Sequence, residues 1–160
     1  MQKTGKLELT WVGKYEKSKI EPRILIEDKT KSYGDPSSKN MLIHGDNLIA
    51  LKALEKEYSG LIKCIYIDPP FNTGQAFENY DDGVEHSIWL SLMQSRVQIL
   101  HRLLADDGTL FVHIDDNELG YLIVLLDEIF GRNNRVSIVS LKLRTSKITV
   151  HLKNSIVFAA

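Results

Sequence analysis

The chain reads as an α/β fold, a mostly parallel, doubly wound sheet with an antiparallel pair at its edge. Three features point there. A short apolar run, Leu61 Ile62 Lys63 Cys64 Ile65 Tyr66 Ile67, is rich in β-branched and aromatic residues and stops at Asp68 Pro69 Pro70, as a strand buried on both faces would. A stripe at helical spacing (Trp89, Met93, Val97, Leu100, Leu104) leads into a second run, Thr109 Leu110 Phe111 Val112 His113 Ile114, and then into another helical stripe; such alternation implies a parallel sheet. Beyond it, two β-like segments, 135–143 and 154–160, are joined by a basic, hydroxyl-rich connection and are expected to pair antiparallel.

The remaining elements follow in chain order. Residues 1–40 read as an extension and linker: Lys6 Leu7 Glu8 Leu9 Thr10 Trp11 Val12 alternates as a short strand or packing arm with Trp11 as its anchor, and 33–40 is a cluster of turn formers. Residues 41–160 form the main body. Met41 Leu42 Ile43 reads as a short strand, followed by His44 Gly45 Asp46 and a helix with Leu48, Leu51 and Leu54 on one face. Asp46 suits an N-cap. Residues 75–86 are polar and acidic, with Phe77 and Tyr80 interspersed, and read as a flap. Phe77 and Tyr80 either line a pocket or pin the loop. The next helix starts at Ser87, and Asp106 Asp107 Gly108 is expected to close it. After the second strand, Asp115 with Glu118 has capping-box spacing, and Leu119, Leu122, Leu126 and Ile129 continue a helix to Gly131. The last apolar run, 156–160, would be an aggregation liability unless paired.

Composition bounds the function. With 160 residues, 43% apolar and 26% charged, the chain has the make-up of one ordinary globular domain. Its single cysteine, Cys64, is expected in the core and leaves no disulfide framework, which favours a reducing cytoplasm. No signal peptide and no apolar run near 18 residues is present, so a secreted or membrane-spanning role is not expected. Net charge is −1 but strongly segregated: residues 1–40 carry nine basic against six acidic side chains, 41–130 five against fifteen, and 131–160 six against none. An acidic centre repels a phosphate backbone, so nucleic acid would have to be held by the flanks or by another segment. A merely solvated basic surface accounts for the tail equally well.

The stretch Asp68 Pro69 Pro70 Phe71 Asn72 Thr73 Gly74 carries the chemistry. It follows a strand, and in open α/β sheets ligands bind at the carboxyl ends of strands. Two prolines remove two backbone donors and stiffen the loop, so its carbonyls stand free beside a carboxylate. That suits methylation of a nucleobase amine, a poor nucleophile whose lone pair is delocalised into the ring. The Asp68 carboxylate and the Pro69 carbonyl each accept an amine hydrogen and favour a pyramidal nitrogen. Phe71 stacks on a base taken out of the duplex, a contact worth roughly 1–3 kcal/mol, and Asn72 lines the same site. The rival constellation, Asp115 Asp116 Asn117 Glu118 with Asp68, would be a carboxylate cage for a divalent cation; helix capping explains those residues better.

Asp68 Pro69 Pro70 Phe71 resembles the catalytic signature of S-adenosylmethionine-dependent amino methyltransferases acting on DNA. With Gly45 Asp46 Asn47 upstream and the stretch from Trp89 to Glu118 downstream, the pattern is similar to adenine N6 enzymes whose catalytic motif precedes the glycine-rich motif, above all the modification subunit of type III restriction systems. The resemblance implies a partial Rossmann-like class I methyltransferase. It also implies S-adenosylmethionine near Gly45, Asp46 and Asp68, double-stranded DNA with a flipped adenine, self-association and a restriction subunit. No two of the ten glycines lie two positions apart, so the Gly-x-Gly cofactor turn is missing. In that branch the turn and the target-recognition region come later, and the chain is expected to be the N-terminal catalytic half, inactive alone. Cytosine N4 or RNA methylation, and a non-catalytic remnant that only binds nucleic acid or a subunit, are the alternatives.

Overall fold

A computed structural model of the chain describes residues 8–16, 20–21, 23–72, 85–144 and 150–159. In chain order they form α1 (Asn47–Tyr58), β1 (Ile62–Ile67), α2 (His86–Leu103), β2 (Leu104–Ile114), α3 (Asp116–Phe130), a 3-10 turn (Arg132–Asn134), β3 (Arg135–Arg144) and β4 (Val150–Ala159). The sheet order is β1-β2-β4-β3. β1 and β2 are parallel, and β4 is antiparallel to both β2 and β3. The expected antiparallel pair is therefore present. Its last strand lies inside the sheet, where Ile156 and Phe158 are fully buried, so the apolar stretch 156–158 is paired on both edges.

Register fixes which face each strand turns to the core. Ile65 pairs with Leu110 and Ile67 with Val112, while Phe158 pairs with Leu110 and Ile156 with Val112. These side chains share one face and meet Trp89, Met93 and Val97 of α2 and Leu122, Leu125 and Leu126 of α3. The predicted α2 stripe is thus core. Each fully buried side chain of this kind contributes about 1.5–3 kcal/mol, against about 0–1 kcal/mol for an exposed ion pair, so the stripe dominates the stability of this layer.

The opposite face is different. Cys64 and Tyr66 pair with Thr109 and Phe111 on it, and both Cys64 and Tyr66 are exposed. This corrects the expectation that β1 is buried on both faces with Cys64 in the core. Among the described residues the helices that bury the sheet lie on one face only, and β1 is an edge strand.

Two boundaries also differ from expectation. Residues 41–44 form no strand, and Leu42 is 99% exposed; three apolar residues cannot hold a strand without a neighbour, and none lies beside them among the described residues. The helix α2 ends at Leu103 rather than at Asp106 Asp107 Gly108, and those residues form a bulge in β2 between the pairs Ile62–Leu104 and Cys64–Thr109. Gly108 sits there because a Cβ would lie 2.8 Å from the Ile62 carbonyl oxygen and 2.9 Å from that of Ala105.

The N-terminal segment packs as an arm. Trp11 donates from Nε1 to Ser91 Oγ at 2.8 Å, and the Leu9 backbone N–H donates to Glu128 at 2.6 Å. Lys14, 8% exposed, bridges Glu128 at 2.9 Å and Glu8 at 3.2 Å. The anchoring role expected of Trp11 is what the structure shows.

Candidate active site

The chain direction gathers the candidate residues at one edge. α1 is 12 residues, about 18 Å, and a short turn at Ser59–Leu61 reverses it into β1, six residues and about 20 Å long. Asp46 at the start of α1 therefore lies at the same edge as Asp68 at the end of β1. The pair α2 and β2 repeats the arrangement and brings His86 and Asp115 to that edge.

Asp68 is exposed and makes no hydrogen bond or ion pair among the described residues. The two prolines after it are half-buried. Pro70 is tied down: its carbonyl accepts the indole N–H of Trp89 at 2.8 Å. The Pro69 carbonyl accepts no hydrogen bond from the described residues. Asp68 and Pro69 thus present two free acceptors at the sheet edge. Phe71 is partly buried against the core and its ring lies 5.7 Å from that of His113, at 60°. His113, near the end of β2, is buried beside that ring.

Asn72 takes a left-handed backbone conformation, φ 60°, which Asn tolerates better than most residues. Its side chain turns inward and donates from Nδ2 to Glu118 Oε1 at 2.5 Å. The same oxygen lies 2.7 Å from His86 Nδ1, and the His86 ring packs against Tyr121 at 5.1 Å. Thr73, Gly74 and residues 75–84 of the expected flap, Phe77 and Tyr80 among them, lie outside the described residues; the last two flap residues, Glu85 and His86, cap and begin α2.

Glu118 is the residue that sequence reading misplaced. Asp115 does cap α3, accepting from the Asn117 N–H at 3.0 Å. Glu118 does not complete a capping box but is fully buried, and its bonds run to Asn72 and His86. The signal was available: Glu118 precedes Leu122 and Leu126 at four-residue steps, on the stripe that faces the core. The carboxylate cage is not assembled, since Glu118 turns inward; among the described residues no three His, Cys, Asp or Glu side chains converge as a metal site.

At the neighbouring helix start, Asp46 Oδ1 accepts from the Leu48 and Ile49 N–H groups at 2.9 and 3.1 Å. It is the expected N-cap, and its Oδ2 takes no bond from the described residues. Gly45 before it has φ 155° and open space where a Cβ would stand. Glu85 caps α2, and the Ser87 hydroxyl and N–H hold its carboxyl below the usual range. Arg96 of α2 donates to Asn47 at 2.7 Å, fastening α1 to the body. His44 is exposed.

Comparison with known proteins places these features. Residues 62–149, from the start of β1 to just before β4, match the N6/N4 DNA methylase family. The chain is 46% identical over 123 residues to the probable type III restriction-modification enzyme HindVI Mod subunit of Haemophilus influenzae, covering 77% of this chain and 16% of that protein. It is 36% identical over 165 residues to the type III EcoPI Mod subunit of Escherichia phage P1, covering 81% of this chain and 26% of that one. Among solved structures, the PvuII DNA methyltransferase (cytosine-N4-specific) superposes with a TM-score of 0.50 at 15% identity, over 69% of this chain and 46% of its own, and shows the shared α/β fold. The chain therefore spans only a sixth to a quarter of these type III relatives. Among the described residues no helix is long and apolar enough to cross a membrane. The match across β1, the Asp68 loop, α2, β2 and α3 shows that the chain belongs to the N6/N4 DNA methylase family.

Proposed function

We propose that this chain supplies the amine-activating half of a DNA adenine N6 methyltransferase, the modification component of a type III restriction system. The observation that carries the reading is the pair of free acceptors, the Asp68 carboxylate and the Pro69 carbonyl, beside a Pro70 carbonyl already bonded to Trp89. Two acceptors fit the two hydrogens of an exocyclic amine, and holding them draws the nitrogen lone pair out of conjugation. The loop that carries them is tied at Pro70 by Trp89, so the acceptors stabilise the developing positive charge with little reorganisation of the backbone. As the new N–C bond formed, the methyl's bond to the sulfonium sulfur would break and leave a thioether, and the amine proton would then pass to Asp68 or to water. Phe71 provides the stacking surface for a flipped adenine, with Phe77 and Tyr80 of the flap lining the same pocket.

S-adenosylmethionine, when bound, supplies an electrophilic methyl on a sulfonium centre. The residues present fit one side of such a ligand. The uncommitted Asp46 Oδ2 accepts a hydroxyl or ammonium proton, and Gly45 admits close approach. Without a Gly-x-Gly turn, the rest of the cofactor site comes from a polypeptide that completes the sheet at the free edge of β1. Double-stranded DNA is then held by basic surfaces outside the acidic segment 41–130, and self-association and a restriction subunit belong to the completed protein. This reading places the enzyme in the cytoplasm.

The test is methyl transfer from labelled S-adenosylmethionine to unmethylated duplex DNA by the completed enzyme, with Asp68→Ala beside the parent. Losing one charge-stabilising group of this kind lowers turnover by about 10²–10³-fold, while DNA retention in a gel-shift assay stays within about twofold. Retained methylation by Asp68→Ala would sink the assignment. Nucleoside analysis of the product separates N6-methyladenine from N4-methylcytosine.

A further inference from the structure

We propose that Glu118 is a positioning residue that clamps the Asp68 loop to α3. The inference deepens the methyltransferase reading and rests on it for its kinetic arm. One carboxylate oxygen, Oε1, takes Asn72 Nδ2 at 2.5 Å and His86 Nδ1 at 2.7 Å, so the loop and the first residue of α2 are held at a single point. Glu118 has no exposed surface, while His86 keeps 55% of its side chain exposed. A fully buried carboxylate is costly unless hydrogen-bonded. Its two partners come from the loop and the helix start, so the buried oxygen keeps both bonds only while Asn72 keeps its left-handed turn. The coupling therefore runs from α3 to the backbone that precedes Asn72.

That backbone is the catalytic one. Asn72 follows Phe71, whose ring meets His113, and Pro70, whose carbonyl meets Trp89. With those two contacts, the Glu118 bond makes a third tie on three consecutive residues, and together they orient the acceptors at Asp68 and Pro69. The Asn72 amide is committed to the clamp, so Asn72 acts through the loop rather than on the base. Glu118 Oε2 and Asn72 Oδ1 are also buried, each without a partner among the described residues. The clamp thus carries two unsatisfied acceptors, a cost that packing alone would remove by placing an apolar residue at 118.

The experiment compares E118A, E118Q and N72A with the parent in the completed enzyme. A misplacement of about 1 Å at reacting atoms costs roughly 10²-fold. E118A is expected to lower kcat by that order, with KM for S-adenosylmethionine within twofold. N72A reproduces the loss, and the double variant E118A/N72A adds little to either, because the two residues act as one unit. E118Q keeps an acceptor oxygen in place and recovers at least tenfold of the E118A loss. Parent-like kcat in E118A, or fully additive losses, would overturn the clamp. Hydrogen exchange of the Trp89 indole N–H, followed by NMR, decides it without catalysis. Exchange at least tenfold faster in both N72A and E118A supports it, and unchanged exchange overturns it. If the parent transfers no methyl group, the enzymatic reading fails while the indole measurement still judges the clamp.

Discussion

The indole N–H of Trp89 and the carbonyl of Pro70 meet at 2.8 Å, joining the first turn of α2 to the second proline of the loop. Trp89 is 1% exposed, so the bond is shielded from water and the ring also fills the core. Trp89→Phe separates the two roles: it keeps most of the ring and leaves the half-buried Pro70 carbonyl without its donor, at a cost of about 1 kcal/mol. Trp89→Ala removes the ring as well and costs about 3–5 kcal/mol. Urea unfolding measures both. Methyl transfer by the completed Trp89→Phe enzyme should fall about tenfold or more, since an ångström-scale shift of a reacting group is sufficient for that.

Lys14 couples the N-terminal arm to pH. Burial alone would lower its pKa, but hydrogen bonds to Glu128 and then Glu8 outweigh that and raise it above the ordinary lysine value of 10.5. A raised folded-state value means that the ion pair stabilises fully below the ordinary lysine pKa. That contribution is lost as pH rises through the higher folded-state value. Lys14→Met leaves Glu128 beside an apolar stem and should cost about 3 kcal/mol at neutral pH. It should also remove the lysine part of the alkaline fall in stability. Tyr15, whose hydroxyl donates to Glu8, is shifted upward too, so the difference between parent and Lys14→Met urea midpoints across the alkaline range is the measurement.

Gly108 supports a more local prediction. A Cβ there would stand 2.7 Å from Leu104 Cγ and within 2.9 Å of two backbone carbonyl oxygens. The side chain can give way, but the carbonyls belong to Ile62 and Ala105 and cannot. Gly108→Ala should destabilise by about 1–3 kcal/mol, the range for overpacking. Thermal or urea unfolding checks it, with exposed Gly120→Ala, which meets no atom within 4 Å, as the control.

The α/β architecture was legible because it rests on local periodicity. Trp89, Met93, Val97 and Leu100 repeat at helical spacing and face the core, and Asp68 ends its strand where the apolar run ends. What stayed hidden depends on neighbours. Cys64 and Tyr66 sit in an apolar run, and only the absence of a covering layer among the described residues leaves them exposed. The bulge at Asp106 Asp107 Gly108 is set by the pairing of Ile62 and Cys64 with the residues on either side of it, so the same turn-forming residues read locally as a helix stop. Glu118 satisfied a local capping pattern while its real partners, Asn72 and His86, lie 46 and 32 residues away. At the candidate site, the places of Asp46 at a helix start and Asp68 at a strand end follow from local pattern, but the inward turn of Asn72 needed the tertiary contact.

Cys64 offers a test of what covers the bare side of the sheet. It is free and exposed, beside Tyr66, which is 63% exposed, on the face opposite α2 and α3. An exposed thiol reacts with aromatic disulfides much faster than a buried one, and an uncovered apolar sheet face marks a surface that another layer is built to meet. In the 160-residue chain Cys64 should therefore react at close to the rate of a small-peptide thiol. In the completed enzyme, if the missing layer packs over this face, the rate should fall by at least tenfold, and denaturation should restore it. Equal rates in both forms would mean that this face stays open and that the completing polypeptide contacts β1 along its edge alone. Tyr66→Lys discriminates further: it should be tolerated by the isolated chain, where the position faces water. In the completed enzyme it should cost about 1–3 kcal/mol, because it would bury an amine against an apolar layer.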